Sequence, residues 1–558
     1  MASTRNSISI PLENQTGLPN SDFTIYVLGF STASKKQLML NGASTTATFA
    51  SMPQESGTLP AYQLDDEITA ISVDISPPLD ASKQINGARI YFFVANNKTF
   101  PNPPVVTYSS YGANVQNVGN PPNDSCPPYT FSEFTIVELN YGAVIDLQTV
   151  DGMVFPLNLT LNDNLGEVGQ PLETDRHFNR EAILRAYKPF IISVDTSKSP
   201  FLPLQYSSNA GGLLNPGLYL TATDSANNPL NLASPLNSLF DEDLATLFGN
   251  TNLSIQGVST ASITADTYTV KSTGEQPLPA PSTLCQPALQ LVGTKTGTAL
   301  NVFSPLGLCT LAFSQDGQVT PISGQLNNTL LTFDQPLPAD SNIQVGMFVT
   351  GAGVDPGSTT VKSIRRNKSQ QITSVTINAG SGVPAPSCYG FSKLANMFMT
   401  SGTMVFANEG VFAYSGDYSA DKVTIVLNLQ NQLVSALNRG AANLAPISGT
   451  AGHSSAYWGT QANWYPPNSK QNLFSLFMHT ATLTVGSKKV PIFYQAANAA
   501  TCARGVTMGQ AYGFAYDENA GPVPPAPPGQ APVPSKFDPL PAGANVLTTT
   551  LGSWLEPL

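Results

Sequence analysis

The first third of the chain alternates apolar and polar residues in short segments that Gly, Pro and Asn turns separate. Segments of this kind cover residues 23–28, 88–94 and 134–139. Successive side chains of a β-strand point to opposite faces of a sheet, so the pattern predicts strands with one buried face. Many short strands with frequent turns are typical of a β-sandwich or β-barrel, and we therefore expect a mainly β fold.

Helical periodicity appears in only a few places. In the first of them, apolar residues recur at steps of three and four behind a cap at Thr174 and Asp175. A second begins with a cluster of acidic residues that complements the helix dipole. We predict four helices, at residues 175–191, 238–247, 422–439 and 469–480.

Residues 284–389 have a different sequence pattern, in which short strand-like segments alternate with Gly, Pro and Asp turns. This pattern predicts an inserted all-β module. The module carries a local basic patch in an otherwise acidic chain, which we interpret as a solvated turn. The patch consists of Lys362, Arg365, Arg366 and Lys368.

The predicted organisation is a β-barrel or sandwich that is interrupted by a smaller α/β region and by the inserted module. The Pro-rich residues 522–534 predict an extended tether rather than part of a core. The predicted segments are 1–165 for the first part of the barrel, 166–283 for the α/β region, 284–389 for the module, 390–520 for the return to the α/β region and barrel, and 521–558 for the tether and a final strand.

The charge balance restricts the possible partners. With 25 basic and 36 acidic residues the net charge is −11, so a phosphate backbone would repel the chain and we expect no nucleic-acid partner. The longest apolar runs are strand-sized, far below the ~20 residues of a spanning helix, and we expect no membrane partner. The first residues lack the apolar core of a signal peptide, which predicts no ordinary secretion. The sequence does not indicate an oligomeric state.

Metal and cofactor chemistry is not predicted. The five Cys residues form no C-x-x-C pair, and the three His residues are scattered at His177, His453 and His479. Only 11% of the residues are charged, where about 25% is usual. Asn, Ser, Thr and Gln must therefore cover much of the surface, and such a surface suits sugar binding, secretion or dense self-assembly.

Candidate chemistry lies in residues 131–157, which predict a hairpin that turns at residues 140–142. With a three-residue loop, Glu133 faces Thr149 and becomes the diagonal neighbour of Asp151. Diagonal Cβ atoms are ~7–8 Å apart, which fits the ~6.5–9.5 Å carboxyl separation of an inverting glycosidase. Asp146 has the opposite parity and would need a bulge to join this pair.

The same hairpin resembles the thaumatin-like superfamily, through the string Glu133-Phe-Thr-Ile and the later residues Asp146, Asp151-Gly and Pro156. Further strings, at residues 87–91, 180–187 and 512–518, are similar to glycoside hydrolase family 64, the β-1,3-glucanases with a thaumatin-like barrel. The resemblance covers most of the chain outside the insert.

The resemblance implies a polysaccharide-degrading enzyme that hydrolyses β-1,3-glucan, internally and with inversion, in a groove and without a cofactor. It assigns the general acid to Glu133 and the general base to Asp151, and it implies substrate contacts for Asp146, Thr135 and Arg89. It also implies an extracellular location, although no signal peptide is visible.

A second cluster supports sugar binding, because flat aromatic rings can stack on the apolar faces of pyranose rings. It comprises Tyr457, Trp458, Trp464 and Tyr465. Core packing is an equal alternative for each ring. The rival of the whole assignment is a non-catalytic thaumatin-like protein that binds glucan or self-assembles, because a fold does not determine a function.

Overall fold

The chain forms two compact units. The first comprises Met1–Leu218, Leu473–Ala515 and Pro525–Leu558, and the second comprises Tyr219–Asn472 and Tyr516–Pro524. The computed structural model describes residues 7–31, 33–54, 56–76, 83–109, 127–138, 142–148, 152–162, 166–169, 179–206, 212–222, 231, 233–249, 253–272, 276–277, 285–286, 289–302, 318–319, 322–339, 341, 343–351, 353–354, 359–383, 387–392, 400–407, 412, 414–415, 418–442, 453–485, 488–491, 536–537, 545–552 and 554.

Strands predominate, and the mainly β fold class is confirmed. In the first 218 residues they are β1 (Ser7–Asn14), β2 (Phe23–Ser31), β3 (Lys36–Leu40), β4 (Thr46–Ser51), β5 (Ser56–Leu59), β6 (Tyr62–Gln63), β7 (Ala70–Asp74), β8 (Ile85–Asn96), β9 (Val106–Ser109), β10 (Tyr129–Glu138), β11 (Gly142–Gln148), β12 (Gly152–Met153), β13 (Leu157–Leu161), β14 (Gly166–Gly169), β15 (Gln205–Tyr206) and β16 (Gly212–Leu214). The middle of the chain contains β17 (Ser254–Gln256), β18 (Thr267–Ser272), β19 (Gln276–Pro277), β20 (Cys285–Gln286), β21 (Leu289–Gly293), β22 (Ala299–Val302), β23 (Gln318–Val319), β24 (Ile322–Asn327), β25 (Leu330–Leu337), β26 (Phe348–Gly351), β27 (Val361–Arg366), β28 (Ile372–Ile377), β29 (Ser387–Ser392) and β30 (Tyr414–Ser415). The last four are β31 (Thr482–Val485), β32 (Lys488–Pro491), β33 (Lys536–Phe537) and β34 (Leu547–Leu551).

The helices are few and mostly short. They are α1 (Arg180–Val194), α2 (Pro216–Thr221), α3 (Asp241–Gly249), α4 (Ser401–Phe406), α5 (Ala420–Asn438), α6 (Ser455–Trp458) and α7 (Leu473–Thr480), with single 3₁₀ turns at Leu202–Leu204, Pro235–Ser238 and Gln461–Asn463.

Caps explain where the longer helices begin and end. Helix α1 starts one residue after Asn179, whose side chain accepts a hydrogen bond from the backbone of Ala182 at 2.8 Å. The cap predicted at residues 174 and 175 lies outside the described residues. Helix α5 is capped by Ser419 and is followed by Gly440 at φ 66°, a left-handed conformation that glycine adopts without strain.

The first unit is built on a thirteen-stranded sheet in the order β14-β13-β34-β1-β7-β4-β3-β2-β8-β10-β11-β33, with β6 paired to β2. Strand β8 lies inside this path, between β2 and β10, and its residues from Ile90 to Ala95 are all buried. A strand that is covered on both faces requires such a continuous apolar run, whereas a half-exposed strand alternates. The likeness to a thaumatin-type barrel stays a prediction.

The second unit contains a four-stranded sheet, β17-β18-β21-β22, and a six-stranded sheet, β26-β29-β24-β25-β28-β27. The six-stranded sheet has a hydrophobic cluster of its own, in which Leu331, Val349 and Ile372 are fully buried. The segment boundaries predicted from the sequence, including those of the inserted module, stay predictions.

Candidate active site

The candidate site lies on one face of strands β8 and β10. These strands are antiparallel, and their register sets Tyr91 opposite Phe131 and Arg89 opposite Glu133. The Tyr91 and Phe131 rings are buried and belong to an aromatic cluster, with ring centroids 5.1 Å apart. One step along the same face, Arg89 and Glu133 have side chains that are 32% and 30% exposed. The charged pair therefore stands where the buried aromatic face reaches solvent.

The guanidinium of Arg89 holds the carboxylate of Glu133 in a defined position. Arg89 Nε donates to Glu133 Oε2 at 3.2 Å, and Arg89 Nη1 donates to the hydroxyl of Tyr91 at 3.3 Å. The guanidinium carbon also lies 4.7 Å from the centre of the Phe131 ring, a cation–π distance. Sequence reasoning named Arg89 but missed Tyr91 and Phe131, although both occur two residues from a charged member on the same strand face.

A β-bulge borders this pair. Gly87 has φ 57°, and the β8–β10 register shifts between Phe134 and Ile136. The backbone N–H of Gly87 donates to the hydroxyl of Thr135 at 2.9 Å. A Cβ atom at Gly87 would lie 4.0 Å from Glu133 Oε1, so the glycine leaves the carboxylate uncovered on this side. Thr135, expected to contact substrate, has its hydroxyl engaged as an acceptor but still free to donate.

The hairpin register differs from the predicted one. Glu133 lies opposite Asp146 of β11, not opposite Thr149. The pairing of Glu138 with Gly142 accounts for two positions of this difference, and the bulge between Ile136 and Glu138 accounts for the third. The predicted register of Glu133 was therefore wrong by three positions. An odd shift exchanges the two faces of a strand, so the parity that separated Asp146 from Glu133 is reversed.

The row of paired positions continues across the sheet. Lys536 of β33 lies opposite Asp146, so that Arg89, Glu133, Asp146 and Lys536 occupy one cross-strand register. Sequence reasoning could not find Lys536, because 390 residues separate it from Asp146 and the pattern carries no signal at that distance. Asp151, the predicted base, lies outside the described residues.

The aromatic cluster of the second unit is largely a core feature. Trp458 and Tyr465 are 0% exposed and Trp464 is 2% exposed, so these three rings cannot stack on a saccharide as expected. The Trp464 indole donates to the carbonyl of Trp458 at 2.6 Å, and the Arg439 guanidinium carbon lies 3.4 Å from the centre of the Trp464 ring. Only Tyr457 of the four is partly exposed.

A separate cavity of about 400 Å³ opens in the second unit and contains none of the predicted site residues. Lys470 reaches Glu242 there at 2.5 Å. The other lining residues include Asp243, Thr246, Asn468 and Ser469.

In the described ranges no group of three or more His, Cys, Asp or Glu side chains could hold a metal ion. None of the described helices combines the length and apolar character needed to cross a bilayer.

The comparison with protein families bears directly on this face. Residues 6–208, which include both strands of the Arg89–Glu133 pair, match the glycoside hydrolase family 64 model, described as beta-1,3-glucanase. The predicted family resemblance is confirmed over this segment. A search of curated proteins gave no match.

Solved structures of family 64 glucanases align with the chain at low identity. A laminaripentaose-producing β-1,3-glucanase in complex with laminaritetraose has 14% identity and a TM-score of 0.44, covering 98% of this chain and 99% of its own. A β-1,3-glucanase domain from Clostridium beijerinckii has 13% identity, 98% coverage of both chains and a TM-score of 0.45. At TM-scores below 0.5 these likenesses carry no weight in the assignment of function.

Proposed function

We propose that this chain is a glycoside hydrolase that cleaves β-1,3-glucan with two carboxyl groups, and that Glu133 is its general acid. The match of residues 6–208 to the β-1,3-glucanase family supports this substrate class. The observation that carries the proposal is the partly exposed Glu133, hydrogen-bonded to Arg89 and opposed in the ladder by a second acidic residue, Asp146.

Hydrolysis of a glycoside requires two carboxyl groups in different protonation states. The protonated one donates its proton to the glycosidic oxygen as the bond to the anomeric carbon breaks. The ionised one accepts a proton from a water molecule, whose oxygen forms the new bond to that carbon from the opposite face. The products are two shorter glucans, and the new reducing end has inverted configuration.

The spacing of the acidic residues bears on which of them is the base. Directly opposed residues in an antiparallel pair have Cβ atoms ~4.5–5.5 Å apart, as expected for Glu133 and Asp146. An inverting enzyme needs ~6.5–9.5 Å between its carboxyl groups so that water fits, whereas ~5–5.5 Å is typical of retaining enzymes. The pair Glu133 and Asp146 is therefore too close for inversion, and we keep Asp151 as the proposed base on the family resemblance alone, with Asp146 proposed as a substrate contact.

Arg89 is proposed as a positioning residue. Its hydrogen bonds to Glu133 and Tyr91 restrict the rotamer of the acid, and a carboxyl that is preorganised near the leaving oxygen loses less entropy on reaching the transition state.

The test is reducing-sugar release from laminarin by the full chain and by three variants, Glu133→Gln, Asp151→Asn and Asp146→Asn. We expect the first two to lose at least about a hundredfold in kcat, because general acid–base groups contribute ~10²–10⁴. Asp146→Asn should mainly raise KM. The matched control is Glu181→Gln, which changes an exposed carboxyl on α1 and should leave activity intact. Equal rates for wild type and Glu133→Gln would remove Glu133 as the acid.

The anomeric configuration of the first product, followed by NMR, distinguishes an inverting from a retaining mechanism. An α-anomer supports an inverting mechanism with a base other than Asp146, as proposed for Asp151, whereas a β-anomer would mean that Glu133 and Asp146 act as a close retaining pair. Glucan binding without any hydrolysis would instead favour the rival, a non-catalytic binding protein. Filaments or lattices that form with rising concentration would favour a self-assembling one.

A further inference from the structure

A basic hairpin stands at one edge of the six-stranded sheet. We use this name for residues 361–377, in which β27 pairs with β28 and forms the last strand of the described sheet. Lys362 is the extra residue of a bulge, because the register shifts between Val361 and Ser363. The other face of the hairpin contributes Ile372 and Ile377 to the hydrophobic core of the sheet, which supports it from below.

The tip of the basic hairpin is held in shape by its own hydrogen bonds. The Asn367 side chain accepts from the backbone N–H groups of Ser369 at 2.9 Å and Gln371 at 3.0 Å. Arg366 Nη1 donates to the carbonyls of Gln370 at 2.6 Å and Ala339 at 3.2 Å. Arg366 therefore braces the turn, and the remaining cations project from a preorganised support.

The cations of the hairpin face solvent. Lys362, Arg365 and Lys368 are exposed, as is Arg366. No carboxylate of the described residues forms an ion pair with any of these four side chains. At ~3.3 Å per residue, residues 362–366 spread three of the charges over about 13 Å of strand, and Lys368 follows in the turn. A solvated turn, as expected from the sequence, accounts for their exposure but not for their concentration.

The charge of this region is opposite to that of the rest of the chain. Residues 318–392 contain four basic and three acidic residues, and all four basic ones belong to the basic hairpin, whereas the remaining chain has 21 basic and 33 acidic residues. We propose that the basic hairpin is a docking surface for an anionic polysaccharide, one that carries carboxylate groups. It would attract an acidic glycan to a protein whose other surfaces repel it.

Three features of the hairpin favour a glycan over other polyanions. Ser363 and Ser369 are exposed among the cations, and Thr373 is partly exposed, so hydroxyl groups for sugar contacts alternate with charges. Residues 361–371 contain no aromatic ring on which a nucleic-acid base could stack. The same residues offer no large apolar side chain at the exposed positions that would insert into a lipid surface.

A purely protective role is the competing explanation. Edge strands commonly carry Lys residues and bulges that prevent pairing with another chain, and β27 has both. Protection requires only that the edge stay unpaired, so neutral polar residues and the bulge would preserve solubility without any glycan affinity. Binding of a soluble acidic glycan therefore separates the two explanations.

The experiment measures retention of the full chain on immobilised polygalacturonate at low and high NaCl concentration. The test variant is Lys362→Gln with Arg365→Gln and Lys368→Gln, which leaves the bracing Arg366 in place. The matched control removes the same charge from exposed sites of the first unit, with Lys98→Gln, Lys188→Gln and Lys198→Gln. We expect the test variant to bind on the order of tenfold more weakly, and the control to bind like wild type. Binding of the wild type should fall as salt rises.

Each other outcome counts against the proposal. Equal weakening of both triple variants would show that net charge alone governs retention. Equal retention of all three proteins, or none at any salt concentration, would leave only the protective role. Binding to single-stranded DNA as tight as to polygalacturonate would overturn the glycan class. Laminarin hydrolysis by the test variant should equal that of wild type, so this proposal and the hydrolytic one can fail separately.

Discussion

The carboxylate of Asp266 organises a turn of the second unit, and its removal should have a measurable, pH-dependent effect on stability. Asp266 is 3% exposed and precedes β18. Its two oxygens accept hydrogen bonds from the backbone N–H groups of Thr267 at 2.7 Å, Lys295 at 3.0 Å and Thr296 at 2.7 Å, and from the hydroxyls of Thr294 at 3.1 Å and Thr296 at 2.9 Å.

The change Asp266→Asn replaces Oδ2 by an amide group that cannot accept. Two donors of Thr296 then face another donor, although the hydroxyl can rotate away. Hydrogen bonds to charged groups contribute ~1.5–3 kcal/mol each, and the retained Oδ1 keeps some of them. We expect the free energy of unfolding to fall by about 2–3 kcal/mol at neutral pH.

The pH dependence follows from the same contacts. Burial opposes ionisation of Asp266, but the hydrogen bonds from Thr296, Lys295 and Thr267 outweigh it and hold the pKa of the carboxyl well below its usual range. Because the folded pKa is below the unfolded value of ~3.9, the stabilisation is complete above that value and is lost as pH falls toward the folded pKa. The stability gap between wild type and Asp266→Asn should therefore be constant above about pH 5 and shrink below about pH 4.

The assay is urea unfolding at several pH values, with hydrogen exchange of residues 289–302 to report on this turn locally. Asp22→Asn is the control, since Asp22 is exposed in the first unit and the change removes the same charge. A gap that is absent at neutral pH, or one that stays unchanged down to pH 3, would refute the assigned hydrogen bonds.

Other changes test the remaining features. Trp464→Ala should lower the free energy of unfolding by about 3–5 kcal/mol in urea titrations, because it empties a core position; Tyr457→Ala, partly exposed, should cost clearly less, and the reverse order would contradict core packing. Arg89→Met should lower kcat on laminarin by about ten- to a hundredfold with an unchanged circular dichroism spectrum, whereas an unchanged kcat would exclude a positioning role. Gly402→Ala should destabilise by about 2–3 kcal/mol in thermal unfolding, because a Cβ atom there would overlap the carbonyl oxygen of Leu236. An unchanged Tm would show that α4 can move away.

Local patterns predicted the elements better than their pairing. The helices α3, α5 and α7 begin within about four residues of the predicted starts, because caps and periodicity are encoded locally. The register of β10 and β11 depends on a bulge near Ile136, which alternation along a single strand does not reveal. This single bulge is sufficient to reverse the parity by which Asp146 was predicted to lie on the opposite sheet face from Glu133.

Candidate site residues were predictable only where the local string is distinctive. Glu133 and Arg89 were both named from sequence, and the structure brings them into hydrogen-bonding contact. The aromatic residues around Trp464 were ambiguous, because a ring suited to stacking on a sugar is equally suited to a core. Lys536 pairs with Asp146 in the sheet although hundreds of residues separate them along the chain, so only the fold brings these positions together.

The strand β34 has a consequence for how the first unit can form during synthesis. It lies between β1, to which it is parallel, and β13, and Leu547, Thr549 and Leu551 in it are almost completely buried. A nascent chain that has emerged only up to residue 540 still lacks the strand that joins β1 to β13, near one end of its thirteen-stranded sheet. The second unit can be completed on the ribosome earlier, whereas the first must wait, and a ribosome that stalls within the final stretch would leave two adjacent strand edges open to aggregation.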